Sequence, residues 1–179
     1  MPRPPNGPEP PFGMRLLEQA DALYNFARYL SRDPVMAEEL VQDAFARALS
    51  AEARFDPASN MKAWLFRILR NAFLDAKRRD RRNPVTLREA SDEPDEPEAS
   101  DALLRGDIEL DRLRNLVARD IESALNRLSD DARTVVLLDL EGFSETQIAS
   151  VMDSAVGTVK SRLARARASL REELREYAK

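Results

Sequence analysis

A proline-containing acidic stretch divides this chain of 179 residues into two parts. Residues 83–101 hold Pro84, Pro94 and Pro97, few apolar side chains, and the run Asp-Glu-Pro-Asp-Glu-Pro-Glu. A segment of this composition cannot bury enough apolar surface to offset the entropy lost on ordering it. We therefore predict a linker over residues 83–112, with a small folded unit on each side whose core is only just large enough to stand alone.

Apolar residues recur at helical spacing before the linker. Three helices are predicted there, over residues 14–30, from near Pro34 to residue 49, and from residue 61 to about residue 82. The proline-rich stretch at the start of the chain predicts a disordered tail over residues 1–13. The first folded unit then covers residues 14–82.

After the linker, the helical spacing resumes. We predict helices over residues 113–128, from about Ala132 to residue 140, from Ser144 onward, and from near Gly157 to the end of the second unit, which covers residues 113–179. Ser144-Glu-Thr-Gln has the pattern of a capping box, which marks a helix start. The predicted fold is all-α, with two small helical domains.

The last predicted helix carries one apolar stripe and one basic stripe. No acidic residue occurs between Ser154 and Arg171. A short helix, a tight connection and a basic second helix make a helix-turn-helix, whose second helix enters the major groove of DNA. Guanidinium groups fit guanine O6 and N7, and spare cations contact phosphates. The alternative is a solvated basic face on a helix that only completes a bundle. The candidate DNA contacts are Thr158, Lys160, Ser161, Arg162, Arg165 and Arg167.

The net charge of −4 conceals two segments of opposite sign. Residues 60–82 contain eight basic and two acidic side chains, a net charge of +6, whereas residues 83–112 contain three basic and ten acidic ones, a net charge of −7. The acidic segment is compatible with an inert tether. It is equally compatible with a polyanion that shields the basic helix or lies in a basic channel.

The chain contains neither histidine nor cysteine, which disfavours most acid–base and thiol catalysis and excludes Cys/His zinc sites. We predict no catalytic residue, metal or cofactor. No apolar run is longer than that of Val135–Leu138, which is too short to cross a bilayer, and the first residues lack the apolar core of a secretory signal. We therefore expect a cytoplasmic protein without membrane insertion.

Three stretches, residues 33–45, 61–71 and 156–167, form an ordered set at a fixed spacing. In sequence, order and spacing they resemble the extracytoplasmic-function sigma factors of bacterial RNA polymerase. The resemblance implies that the partners are core RNA polymerase, promoter DNA and an anti-sigma protein. It also implies that the first domain docks on polymerase and reads the minus-ten element, while the second reads the minus-thirty-five element.

The resemblance assigns roles to further residues. The polymerase-facing group would be Glu38, Glu39, Gln42 and Asp43. The minus-ten contacts would be Asn60, Lys62, Arg67, Arg70, Asn71, Lys77, Arg78 and Arg79. The loop over residues 55–60 could receive a base flipped out of the stack, since an irregular loop beside a basic helix offers a pocket and phosphate contacts. Trp64 could stack on DNA, but its apolar spacing favours a place in the core. Solvated acidic and basic faces are the alternatives for the first two groups.

Three rival functions remain open at this point. The chain could be a stand-alone helix-turn-helix regulator, although no dimerisation helix is evident and the first unit would have no role. It could be a sigma mimic that titrates an anti-sigma protein, although such a protein has no need of the basic stripe. A nucleic-acid enzyme is disfavoured by the missing His and Cys.

Overall fold

The computed structural model describes residues 10–82 and 105–178, and all regular secondary structure in these ranges is helical. The prediction of an all-α chain is confirmed. The described residues form two compact units, of which the first holds residues 10–82 and the second holds almost all of residues 105–178. Residues 83–104 of the predicted linker and residues 1–9 of the predicted tail lie outside the described ranges.

The first unit begins with two helices, α1 (Phe12–Leu17) and α2 (Ala20–Ser31), where the sequence predicts one over residues 14–30. That prediction is wrong because the helix is interrupted between the two. Apolar spacing cannot detect this break, since Leu16 and Leu23 lie seven residues apart on either side of it and both are buried. The buried stripe therefore continues through the interruption.

The predicted disordered tail is wrong at its end, because Phe12 and Gly13 belong to α1. Pro11 precedes the helix, where a missing amide proton costs no helical hydrogen bond. Its carbonyl oxygen accepts hydrogen bonds from the amides of Met14 and Arg15 at 2.9 and 3.2 Å. Proline content suggested disorder, but these prolines stop just short of the first helical residue.

Helices α3 (Pro34–Ser50) and α4 (Met61–Arg82) follow the predicted bounds to within one residue. Their starts are set by local side chains. A carboxylate oxygen of Asp33 accepts hydrogen bonds from two amides in the first turn of α3, at 2.9 and 3.2 Å. The side-chain oxygen of Asn60 accepts one from the first turn of α4 at 3.0 Å. Both residues are preferred N-caps.

Helices α2, α3 and α4 pack around one apolar core. The ring centroids of Phe26 and Phe66 lie 5.0 Å apart, and Leu65 and Leu69 are fully buried. Each side chain of this size contributes about 1.5–3 kcal/mol through burial. The basic last turns of α4 extend beyond this core and are exposed to solvent.

The second unit consists of α5 (Arg105–Arg127), α6 (Asp130–Leu140), α7 (Glu145–Met152) and α8 (Val156–Glu173), followed by a 3₁₀ turn over Arg175–Ala178. None of the helices in the described ranges is both long and apolar enough to span a bilayer.

Helix α5 begins at Arg105, so the predicted linker end at residue 112 and the predicted helix start at Leu113 are wrong. The many acidic residues of this stretch suggested a linker. Acidic residues are, however, favourable near the start of a helix, where they interact with the positive end of its macrodipole. Charge counting therefore could not separate the linker from the first turns of α5.

Caps and a glycine separate the helices of the second unit. Gly142 adopts the left-handed conformation with φ of 83° and follows the end of α6, as the sequence predicts. The capping box is confirmed, since the Ser144 amide donates to Oε1 of Gln147 at 2.8 Å and the Gln147 amide donates to Oγ of Ser144 at 3.3 Å. A connection of three residues, 153–155, then joins α7 to α8 in a helix-turn-helix.

An arginine in α6 is fully buried and closes the end of α5. The Nε atom of Arg133 donates to the carbonyl oxygen of Leu125 at 3.0 Å, and a terminal nitrogen donates to that of Leu128 at 3.0 Å. The carboxylate of Asp130 lies 3.6 Å from the other terminal nitrogen. Carbonyl groups in the last turn of a helix have no amide partner within the helix. Arg133 supplies those partners and ties α6 to α5.

Candidate nucleic-acid interface

Helix α8 separates a buried stripe from an exposed polar one. Val159, Leu163 and Ala166 are at most 2% exposed, whereas Ser161 and Arg165 are exposed. These two sets lie on opposite sides of a helix with 3.6 residues per turn. The polar side is therefore available to a partner.

Two arginines of α8 pair with carboxylates of α6. Arg162 lies 2.9 Å from Asp131, and Arg167 lies 2.6 Å from Asp139. The two aspartates are about two turns apart along α6, so the pairs hold α8 at two separate points. Both arginines are predicted DNA contacts, and the structure shows that each has a carboxylate partner in the protein alone.

Arg165 is exposed and lies on the same side of α8 as Ser161. Its Nε atom donates to the backbone oxygen of Ser161 at 3.2 Å, and it forms no ion pair with the side chains described over residues 114–177. The hydroxyl of Ser161 donates to the carbonyl oxygen of Thr158 at 3.0 Å. Lys160 lies 3.5 Å from the Glu145 carboxylate on α7. The predicted set thus divides into three paired cations and an outward group led by Arg165.

A groove between α3 and α4 opens on the surface of the first unit. Its volume is about 610 Å³, and it is lined by two alanines and by Arg47, Ser50, Arg54, Trp64, Ile68 and Asn71. The groove combines the apolar surfaces of Trp64 and Ile68 with the guanidinium groups of two arginines and the amide of Asn71. This combination suits a planar, partly polar ring attached to a phosphate.

The predicted minus-ten residues lie along the whole of α4 and do not converge on one place. Of the eight, only Asn71 lines the groove. Asn60 is used as the cap of α4, and the ammonium groups of Lys62 and Lys77 lie 5.6 and 5.4 Å from the centroids of phenylalanine rings on the same helix. The others follow α4 toward its basic end: Arg67, Arg70, Arg78 and Arg79.

Arg47 and Arg54 line the groove but were not among the predicted residues. They lie on α3 and on the 3₁₀ turn Glu52–Arg54 that follows it. They are the only basic residues between Pro34 and Asn60, which could have drawn attention to them. The sequence does not show, however, that the packing of α3 against α4 brings them to the groove.

A chain of ion pairs connects α3 to α4. Arg47 lies 2.8 Å from Asp43 and 3.2 Å from Asp75, and Asp75 lies 3.6 Å from Arg78. The hydrogen bonds to Asp43 and then to Asp75 raise the pKa of Arg47 above its ordinary value. Asp43 is thus bound within the unit. The other members of the predicted polymerase-facing group are exposed: Glu38, Glu39 and Gln42.

Comparison with known proteins decides the family. The model for sigma-70 region 2 matches residues 16–83, and the model for sigma-70 region 4 matches residues 118–170. The ECF RNA polymerase sigma factor EcfG of Rhodopseudomonas palustris (strain TIE-1) is 35% identical over 158 residues, which cover 87% of this chain and 80% of that protein. The chain belongs to the extracytoplasmic-function sigma factor family. As a sigma factor, it directs transcription initiation by RNA polymerase and catalyses no reaction of its own.

Two solved structures have the same architecture as this sigma factor. The sigma factor RpoE in complex with the anti-sigma factor NepR from Bartonella quintana is 35% identical, with a TM-score of 0.73, over 92% of this chain and 96% of that one. CnrH in complex with the cytosolic domain of CnrY is 29% identical, with a TM-score of 0.63, over 92% of this chain and 88% of that one. Because the family accounts for both units of the sigma factor, a stand-alone helix-turn-helix regulator is no longer needed to explain the second.

Proposed function

We propose that the second unit reads the minus-thirty-five element with α8, and that the first unit docks on polymerase and reads the minus-ten element with α4 and the groove. The observation that supports this proposal is a difference among the α8 arginines. Arg162 and Arg167 form ion pairs with α6, whereas Arg165 is exposed on a face of α8 without acidic residues. Holoenzyme binding to promoters with one base pair changed in one element tests it. Variants of α8 should alter only the response to the minus-thirty-five changes, and groove variants only the response to the minus-ten changes.

The outward residues of α8 match the chemistry of duplex readout. Ser161 and Thr158 can meet donors or acceptors on base edges, and Arg165 can bind guanine with two hydrogen bonds. The cations on the flanks of α8 would contact phosphates: Lys160, Arg162 and Arg167. Their ion pairs do not prevent this, since an exposed pair contributes at most about 1 kcal/mol and a phosphate can replace the carboxylate.

The groove suits a single unstacked base. Stacking on an aromatic ring contributes about 1–3 kcal/mol per base, and Trp64 offers such a ring at the groove wall. The amide of Asn71 can form two hydrogen bonds to adenine, and Arg54 can neutralise the adjoining phosphate. The remaining predicted residues would follow the strand along α4: Asn60, Lys62, Arg67, Arg70, Lys77, Arg78 and Arg79.

Replacing Asn71 with alanine is expected to lower promoter opening by about tenfold, because one base-edge interaction of about 1–3 kcal/mol is lost. The measurement is the fluorescence of 2-aminopurine placed at each minus-ten position in the holoenzyme–promoter complex. Asn25→Ala is the control, since Asn25 is an exposed asparagine on α2. An unchanged signal for Asn71→Ala at every position would exclude the groove as the base site.

Docking on polymerase is assigned to the exposed side of α3, where Glu38, Glu39 and Gln42 lie. Glu38→Lys is expected to weaken binding to core polymerase by about tenfold without altering the helical content, because reversal of an interface charge opposes association. Asp43 is unsuitable for this test, since its reversal would also break the pair with Arg47. Titration of labelled protein with core polymerase measures the change, and Glu18→Lys is the matched exposed control. Equal affinities for the two variants would mean that this side of α3 is only solvated.

A polypeptide anti-sigma partner and a cytoplasmic location complete the proposal. Two similar proteins of known structure were solved in complexes, one with the anti-sigma factor NepR and one with the cytosolic domain of CnrY. A protein that serves RNA polymerase must reach it in the cytoplasm. An anti-sigma protein of the same kind would act by denying polymerase access to this chain.

A further inference from the structure

Three aromatic side chains meet where α1, the loop after α3 and α4 come together. The ring centroids of Phe55 and Trp64 are 5.0 Å apart, and that of Phe12 lies 5.6 Å from Phe55 and 6.1 Å from Trp64. The Phe12 and Trp64 rings are inclined at 67°, which is the edge-to-face arrangement that aromatic quadrupoles favour. Helix α1 therefore contacts both the loop and α4.

Further contacts hold α1 in this position. Leu16 is 1% exposed, and the guanidinium carbon of Arg15 lies 5.9 Å from the centroid of the Phe55 ring. A Cβ atom added to Gly13 would lie 3.9 Å from the side chain of Leu49, so the backbone of α1 passes close to α3. A helix of six residues is too short to be stable by itself. These tertiary contacts, and not helix propensity, place α1 against the loop.

Trp64 belongs both to the aromatic cluster and to the groove. Its side chain is half-buried and lines the groove. Phe55 is the one buried residue of the described loop over residues 55–60. The rest of that loop is exposed and folded on Asp56, whose carboxylate accepts from the amide of Ala58 at 2.9 Å. The cluster thus anchors the loop and sets the position of a groove wall at the same time.

We infer that α1 acts as a clip that holds Trp64 in place, with Phe12 as a positioning residue for reading the minus-ten element. This inference rests on the proposed function of the groove as a base site. Phe12 does not line the groove, so its effect on DNA must pass through Trp64 and Phe55. Phe12 also lies ahead of residues 16–83, the stretch that matches sigma-70 region 2, whereas Leu16 at the end of α1 lies within it.

The test compares Phe12→Ala with two companion variants of the full chain. Met14→Ala is the matched control, because Met14 lies on the same helix and is 57% exposed. Phe12→Tyr keeps the ring. Trp64 is the single tryptophan of the chain, so its quenching by acrylamide reports on the cluster directly. Opening of the minus-ten element is followed with 2-aminopurine in the holoenzyme–promoter complex.

Phe12→Ala is expected to raise the Trp64 quenching constant about twofold and to lower the opening signal by about fivefold to tenfold, because two aromatic contacts are lost. Met14→Ala and Phe12→Tyr should match the wild type in both readouts. If Phe12→Ala lowers the helical content, Phe12→Leu takes its place, since it keeps apolar volume while removing the ring, and the same results are expected.

The outcomes separate this inference from the function on which it rests. If Asn71→Ala impairs opening while Phe12→Ala opens promoters as the wild type does, the clip inference is overturned and the base site stands. If neither variant impairs opening, the base site itself is excluded. If Phe12→Ala impairs opening while Trp64 quenching stays at the wild-type value, the effect does not pass through Trp64 and the inference is overturned.

Discussion

Replacing Arg133 with methionine is expected to destabilise the second unit by about 3–5 kcal/mol, because its buried hydrogen-bond acceptors lose their donor. The carbonyl oxygens of Leu125 and Leu128 accept from Arg133 at 3.0 Å each, and no solvent reaches this side chain. Methionine fills the volume but donates nothing. Arg133→Lys should recover only part of the loss, since a single ammonium group cannot match the fork of a guanidinium.

Urea unfolding followed by far-UV circular dichroism measures this loss. The fluorescence of Trp64 gives a separate reading of the first unit, which should keep its midpoint. Arg119→Met is the control, because Arg119 is an exposed arginine on α5. A loss below about 1 kcal/mol for Arg133→Met, the value of one ordinary hydrogen bond, would show that Arg133 is not needed to close α5.

Arg165→Ala is expected to weaken minus-thirty-five recognition by about 1–3 kcal/mol and to abolish the preference at one base pair, because a base-edge contact carries sequence information. Its matched control is Arg171→Ala, which removes another exposed arginine of α8. We expect that variant to weaken binding to all promoters alike. The slope of the logarithm of the binding constant against the logarithm of salt concentration should fall by about one, which corresponds to one phosphate contact.

Competition binding of the holoenzyme against single-base variants of the minus-thirty-five element distinguishes these two effects. The Arg165→Ala and wild-type holoenzymes should bind one promoter variant with equal affinity. In that variant the base pair that Arg165 contacts has been changed, so the wild type has no contact left to lose. A uniform loss across the panel would place Arg165 on the phosphate backbone and would leave base readout to other residues.

Local chemistry made much of the fold predictable. Asp33 and the capping box of Ser144 and Gln147 set helix starts through hydrogen bonds within one turn. Such short-range contacts follow from residue types at a fixed spacing, which the sequence displays. The interruption between α1 and α2 and the start of α5 were missed because local patterns do not reveal them. A buried stripe continues through the interruption, and acidic residues are equally compatible with a linker and with a helix start.

The candidate site was predictable only where one helix supplies it. The polar face of α8 follows from spacing along that helix. The ion pairs of Arg162 with Asp131 and of Arg167 with Asp139 do not, since their partners lie on another helix. The groove was missed because Arg47 and Asn71 line one surface only when α3 packs on α4.

Run-off transcription by purified core polymerase on a library of random DNA, with and without this protein, tests the central claim most directly. We expect discrete transcripts only when the protein is present, and we expect the DNA upstream of their start sites to share two sequence elements. Arg165→Ala should relax the upstream element alone, and Asn71→Ala the downstream element alone. The same transcripts with and without the protein would contradict its assignment as the subunit that selects promoters.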